Sequence, residues 1–301
     1  MSNPRGILVT GSTGQVGIEL LRAAWGEELI PVAVGRDRLD LGDPAAIAAT
    51  IGAGHAGAPF AAVVNAAAYT AVDQAEDAPL EAWRINALAP AAIGQACAAA
   101  NVPMIQVSTD YVFPGDREGA WEVDDPTDPI NIYGASKLGG ELAVRTSGAR
   151  YAIVRTSWVV SAHRQNFVKT MLRIGANCEA LSVVSDQRGS PTGAADLAEA
   201  LVAVVKRFVE DRGAGNGIFH FSNMGATNWA AFASEIFRLS RLRGGPTTHV
   251  EPISTSDYPT AALRPANSLL STSVFEQSFG LKPRPWQDAL SEILDELIGE
   301  A

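Results

Sequence analysis

An apolar run, Ile7-Leu8-Val9, leads directly into Thr10-Gly11-Ser12-Thr13-Gly14-Gln15-Val16-Gly17, and an amphipathic stretch follows. No other feature of the chain restricts its fold as strongly. The run before the glycines reads as a buried strand. Ile18, Leu21 and Trp25, at i, i+3 and i+7, read as the apolar stripe of a helix. A strand and a helix joined by so short a turn need glycine where a side chain would oppose the backbone conformation. In that setting Gly11 takes the tight turn, Gly14 lets a pyrophosphate approach the backbone, and Gly17 lets the helix lie close on the strand. The helix N-terminus then offers free N–H groups and the positive end of its dipole to the phosphates. Glycine triplets also occur in plain strand–helix turns, so the reading depends on the strand before it and the helix after it.

The alternation continues along the first half. Val32-Ala33-Val34, Ala62-Val63-Val64 and Ala152-Ile153-Val154 are further apolar runs, and Met104 to Val107 reads as another strand. An alanine-rich stretch predicts a helix from about Asn86 to Ala100, with Pro90 in its first turn. Strands alternating with helices predict an α/β fold of Rossmann type, a doubly wound parallel sheet buried on both faces. Beyond Trp158 the pattern loosens and Pro and Gly become frequent, leaving helices at 194–209, 228–242 and 286–298. Residues 1–157 therefore read as a dinucleotide-binding domain. Residues 158–301 read mainly as a smaller, irregular substrate-binding part, with the helix near 194–209 able to pack back on the sheet.

The 301 residues are 47% hydrophobic and 19% charged, a globular composition rather than a disordered one. No apolar run reaches the roughly 18–20 residues of a membrane span. Met1 to Arg5 leads into the first strand without the marks of a signal peptide. Cys97 and Cys178 lie far apart and in no metal-ligand spacing, which suits a reducing cytoplasm. His55, His163, His220 and His249 form no cluster. With 23 Lys and Arg against 33 Asp and Glu, the net charge of −10 excludes a nucleic-acid binder that tracks phosphates. Any anionic ligand must be held locally, against the field of the chain.

At the end of the second strand an acidic residue favours NAD, and a basic one accommodates the 2′-phosphate of NADP. The run there is Gly35-Arg36-Asp37, so Arg36 points to NADPH, with NADH still open. Asp40-Leu41 suits the adenine edge, although a bare aspartate in a loop is more often a turn former. Asn65-Ala66-Ala67-Ala68 ends the third strand in small residues that leave room for a ligand, or for simple helix packing. Ser108-Thr109-Asp110 ends the fourth strand at the edge where doubly wound sheets bind ligands. Tyr133 and Lys137 fall one turn apart on one face of a predicted helix. An ammonium beside a phenol lowers the phenol's pKa, and such a phenol can protonate a carbonyl oxygen as hydride reaches its carbon. Trp158 reads as core or as a pocket wall, and Arg264 as a solvated residue or a diphosphate contact.

These residues, in this order, resemble the extended short-chain dehydrogenase/reductase family, and within it the rhamnose reductase branch. The matching segments are Gly11–Gly17, Asn65–Glu76, Ser108–Phe113, Tyr133–Glu141, Arg155–Trp158, Asp186–Thr192 and Arg264–Ser268, and they span nearly the whole chain. The resemblance implies NADPH-dependent reduction of the 4-keto group of dTDP-4-dehydro-β-L-rhamnose, the last step toward the rhamnose donor for bacterial cell-surface polysaccharide. It implies Tyr133 as general acid, Lys137 as ligand of the nicotinamide ribose, and Thr109 as the group that positions the carbonyl. It places Thr109, Asp110 and Trp158 against the sugar nucleotide. Gly14, Gln15, Val16, Asp40, Leu41 and the Ala68-Tyr69-Thr70 turn would lie against the dinucleotide. A homodimer is implied as well. Some members hold Mg²⁺ at the dimer interface through three glutamates. Glu19 and Glu296 match two of those positions, but Ala195, beside Asp196, falls at the third, so no metal is expected. Two other readings stay open: a non-catalytic regulatory subunit like that of methionine adenosyltransferase, and another sugar-nucleotide epimerase or dehydratase of the superfamily.

Overall fold

The computed structural model describes residues 4–36 and 38–299, so Met1 to Asn3, Asp37, Glu300 and Ala301 lie outside the description. Six strands form the main sheet: β1 (Arg5–Thr10), β2 (Leu29–Val34), β3 (Ala62–Asn65), β4 (Met104–Thr109), β5 (Tyr151–Thr156) and β6 (Gly217–His220). Their order is β2-β1-β3-β4-β5-β6, and every pairing is parallel. Parallel neighbours need crossover connections, and helices supply them. In chain order these are α1 (Gln15–Arg22), α2 (Pro44–Ala53), α3 (Ala89–Ala100), α4 (Ile132–Arg145), α5 (Phe167–Gly175) and α6 (Ala194–Glu210). Two further helices, α7 (Trp229–Leu242) and α8 (Trp286–Ile298), follow β6. The strand order reverses between β1 and β3. The turns after those two strands therefore open side by side at the carboxyl edge, the topological switch point.

Successive side chains of a strand point to opposite faces. Ile7, Val9, Val64 and Val154 thus pack into one core with α1 and α6. Leu8, Val63, Met104 and Ile153 pack into another with α2, α3 and α4. Burial on both faces is the reason these strands read as largely apolar. A third core, built around Phe232, Ile236, Leu290 and Leu294, joins α5, α7 and α8.

Several elements differ from the sequence expectation. The first helix stops at Arg22, and its buried face carries Leu20 while Leu21 is 38% exposed. Trp25 reaches the core from the following turn, with its indole N–H donating to the Leu20 carbonyl at 2.7 Å. The alanine-rich helix is regular only from Ala89, with Pro90 in its first turn as expected, and a π-helical turn at Arg84–Leu88 precedes it. The strand β6 and a parallel pair, Ala180–Val184 with His249–Ile253, carry no apolar run to announce them. The sheet layer thereby takes in α6 and β6 from beyond residue 157.

Candidate active site

β1 delivers the chain into Gly11 at φ +69°. A Cβ there would lie 2.6 Å from the Ala67 nitrogen, and one on Gly17 would lie 2.1 Å from the Gly11 carbonyl oxygen. Ala66 and Ala67 therefore press on the glycine turn, and the absence of side chains is what lets the two turns meet. Gly14 caps α1 without a side-chain hydrogen bond, so no capping side chain occupies the N–H groups at Gln15 and Val16. A Cβ on Gly14 would meet nothing nearer than the Gly11 oxygen at 3.3 Å. Open space, unclaimed donors and a helix dipole together fit the diphosphate of a dinucleotide.

Both turns are braced. The Gln15 side-chain oxygen accepts from Ser161 Oγ and Asn166 Nδ2, each at 2.9 Å. Arg164 Nε donates to the Thr13 carbonyl at 2.6 Å, seating the 161–166 segment on the glycine turn. On the other side, Asn86 Oδ1 accepts from the Tyr69 N–H at 2.8 Å, and its Nδ2 donates to Ser136 Oγ at 3.0 Å. Asn86 sits in the π-helical turn, a feature often found at functional sites. Its one sequence signal was a polar residue in an apolar helix. Thr70 and Arg36 are exposed, the latter just beyond β2. Asp40 accepts from the Gly42 N–H at 2.8 Å and lies 3.6 Å from Arg84, so it is a paired turn former. Leu41 packs partly into the core beside α2.

Asn131 caps α4 by accepting from the Gly134 N–H at 2.7 Å. Lys137 is 4% exposed, and its Nζ donates to the Val107 carbonyl at 2.7 Å. Burial lowers this ammonium to a pKa of about 8, while the charge of Glu141 raises it. Tyr133 packs edge-on against Tyr111, with centroids 5.6 Å apart. Burial pushes the phenol up to about 12, Asp110 adds to the rise, and the Thr109 side chain opposes it. The expected lowering of this phenol is thus reversed. Desolvation of the buried ring is the largest cause, and the Lys137 ammonium is turned to the Val107 carbonyl.

Thr109 Oγ1 donates to Asp110 Oδ1 at 2.9 Å. Asp110 is 3% exposed, and burial pushes its carboxyl up to about 7. Among the described residues, its Oδ2 has no hydrogen-bond partner. Trp158 holds φ +47° and stacks on Trp229 with centroids 3.5 Å apart and planes at 8°. Gly189 lies against the indole, where a Cβ would come within 2.4 Å. A non-glycine residue in that region is strained, and the stack holds it there. Arg264 pairs with Asp73 at 2.6 Å and holds that carboxyl below its usual range. Its charge is therefore already partly offset.

The glutamates implied as metal ligands are also occupied. Arg22 Nη1 lies 2.9 Å from Glu296 Oε1, and His163 Nε2 lies 3.1 Å from Glu19 Oε1. Arg22 and His163 contact each other at 2.7 Å. A guanidinium stands between the carboxylates, and Ala195 supplies no ligand, so these residues do not fit a divalent cation. Accordingly, a chelator is expected to leave turnover unchanged, and Mg²⁺ to leave the melting temperature unchanged. A Mg²⁺-dependent rise in melting temperature that disappears in Glu296→Gln would contradict this.

The family model described as RmlD substrate binding domain matches residues 5–298. The chain is 39% identical over 295 residues to dTDP-4-dehydrorhamnose reductase of Sinorhizobium fredii, covering 98% of each chain. It belongs to the dTDP-4-dehydrorhamnose reductase family. The Escherichia coli dTDP-4-dehydrorhamnose reductase is 40% identical over 297 residues, covering 97% of this chain and 98% of that one. The crystal structure of the Bacillus anthracis reductase in complex with NADP superimposes with a TM-score of 0.88 at 33% identity, covering 97% of this chain and 99% of that one. As in the sequence expectation, no helix among the described residues is long and apolar enough to cross a membrane.

Proposed function

We propose that this chain reduces the 4-keto group of dTDP-4-dehydro-β-L-rhamnose to dTDP-β-L-rhamnose with NADPH, in the cytoplasm and as a homodimer. What supports the reading is that Tyr133 lies by the Thr109 hydroxyl and Lys137 is seated on the Val107 carbonyl, at the carboxyl end of β4, the sheet edge that also carries the glycine turn after β1. The full-length likeness to reductases supports it. The sheet layer, with α6 and β6, holds the dinucleotide, and the segments around α5, α7 and α8 hold the sugar nucleotide.

With its diphosphate at the N-terminus of α1, a reduced nicotinamide dinucleotide would supply the hydride. Tyr133, whose phenol stays protonated at neutral pH, gives its proton to the oxygen at sugar C4 as negative charge develops there. The Thr109 hydroxyl holds that oxygen in place. Lys137, one turn along α4, would hold the nicotinamide ribose. Asp110, beside Thr109, would lie against the sugar nucleotide, and the Trp158–Trp229 stack forms a wall against the sugar. Gln15, held by Ser161 and Asn166, keeps the glycine turn closed beneath the diphosphate.

Cofactor choice rests on Arg36. Arg36→Ala is expected to raise the KM for NADPH about tenfold, the scale of one charge-assisted hydrogen bond, and to leave the KM for NADH nearly unchanged. Equal effects on both cofactors would remove Arg36 from the 2′-phosphate. The reaction itself is tested by product analysis after incubation with the 4-keto sugar nucleotide. Stoichiometric release of NADP⁺ separates a reductase from epimerases and dehydratases of the superfamily, which consume no reduced cofactor. Turnover by the purified chain alone separates it from a regulatory subunit.

A further inference from the structure

The chemistry above leaves unused a buried ion pair directly behind it. Glu141 lies one helical turn beyond Lys137 on α4, and its side chain is 2% exposed. Arg155 of β5, 3% exposed, donates from Nε to Glu141 Oε1 at 2.9 Å and from Nη2 to Oε2 at 2.7 Å. Ser108 Oγ donates to the same Oε1 at 2.5 Å. On its far side, Arg155 lies over the Phe113 ring at 5.0 Å, and its Nη1 faces His220 at 3.4 Å. A buried pair of this kind adds little stability over apolar side chains of equal volume. Stability alone therefore does not account for it.

Its placement does. Val107 and Ser108 are consecutive residues of β4. The Val107 carbonyl takes Lys137, and the Ser108 hydroxyl takes Glu141. α4 is thus fastened to β4 at two successive turns. The next residue of β4 is Thr109, and the preceding turn of α4 carries Tyr133. The two fastenings set how the proton donor stands relative to the hydroxyl that positions the carbonyl. The charges around Lys137 are equally simple. Glu141 lies on its own helix and Arg155 on β5, already turned to Glu141, while β4 presents only the neutral Val107 and Ser108. His220, on β6, is neutral at physiological pH because burial holds it near a pKa of about 3.

We infer that Glu141 is a positioning residue: fixed by Arg155 and Ser108, it keeps α4 seated on β4 beside Lys137, and so sets Tyr133 against Thr109. The inference rests on the reductase reading of the site. Thereafter the sign is fixed. Without Glu141, only the Val107 carbonyl opposes the desolvation of Lys137, so the ammonium loses its proton at a lower pH.

The test compares the wild-type chain with Glu141→Gln and with Glu141→Gln/Arg155→Gln. The double variant strands neither charge and so guards against a fold that fails for that reason alone. In a folded variant, the alkaline limb of kcat/KM is expected to move down by about one pH unit, with the KM for the sugar nucleotide little changed. The affinity for NADPH, read from nicotinamide fluorescence without turnover, shifts in the same direction. Glu141→Asp, which keeps the charge, returns both profiles toward the wild type. A folded variant whose two profiles do not move overturns the inference. So does failure of both variants to fold, since the pair would then serve the fold alone. If the wild-type chain shows no turnover, the reductase reading fails, and the NADPH-binding profile still decides the role of Glu141.

Discussion

Tyr133→Phe is expected to lower kcat and kcat/KM together by about 10²–10⁴, the usual scale for loss of a general acid. The substitution removes one hydroxyl. The ring keeps its edge contact with Tyr111, and the Asn131 cap that starts α4 is untouched. NADPH affinity should therefore stay within a small factor, because the glycine turn and Lys137 remain in place. The loss should be the same at every pH at which the wild-type phenol is protonated, and that range extends up to about 12. Steady-state kinetics with a parallel NADPH-binding titration checks both halves. Activity within about twofold of the wild type would mean that Tyr133 is not the proton donor.

Arg155→Met is expected to destabilise the protein by about 3–5 kcal/mol, the cost of leaving a buried charge without its partner. The methionine fills much of the space under Phe113 but leaves Glu141, 2% exposed, with only the Ser108 hydroxyl in place of a bidentate cation. For a chain of this size that loss corresponds to a melting temperature lower by roughly 6–20 °C. Combining it with Glu141→Gln should recover most of the loss, because the remaining amide carries no charge. Denaturant unfolding of the two single variants and the double variant gives the coupling directly. A single-variant loss below about 1 kcal/mol would show that Glu141 finds another partner or reaches solvent.

The parts of this molecule that were legible before the structure share one physical cause. β1, β3, β4 and β5 are covered on both faces, so their sequences are largely apolar runs, whereas β2 at the edge leaves Ile30 exposed. β6 is only Gly217–His220, opening on a glycine and ending on a histidine, and it has no such run. The Ala180–Val184 and His249–Ile253 pair is largely exposed and carries little apolar signal. At the site, Tyr133, Lys137 and Thr109 were visible as spacing along a helix and a strand end. The direction of the Tyr133 pKa shift was not, because desolvation depends on what packs around the ring. Arg264 and Asp73 are 191 positions apart, so nothing local announces their pairing. The Glu141–Arg155 pair did leave one trace. Arg155 ends the otherwise apolar run Ala152-Ile153-Val154, where a charge is tolerated only with a partner.

The net charge of −10 fits the same picture. It repels anions only on average. The N-terminus of α1 presents donors whose field acts within a few ångströms, where a diphosphate would lie.

Reductase activity is tested most directly by following reduced-nicotinamide absorbance with the purified chain, NADPH and dTDP-4-dehydro-β-L-rhamnose. The expected result is one NADPH oxidised for each dTDP-β-L-rhamnose formed, with no added protein or metal ion. No oxidation with the authentic substrate, or conversion without net use of NADPH, would contradict it.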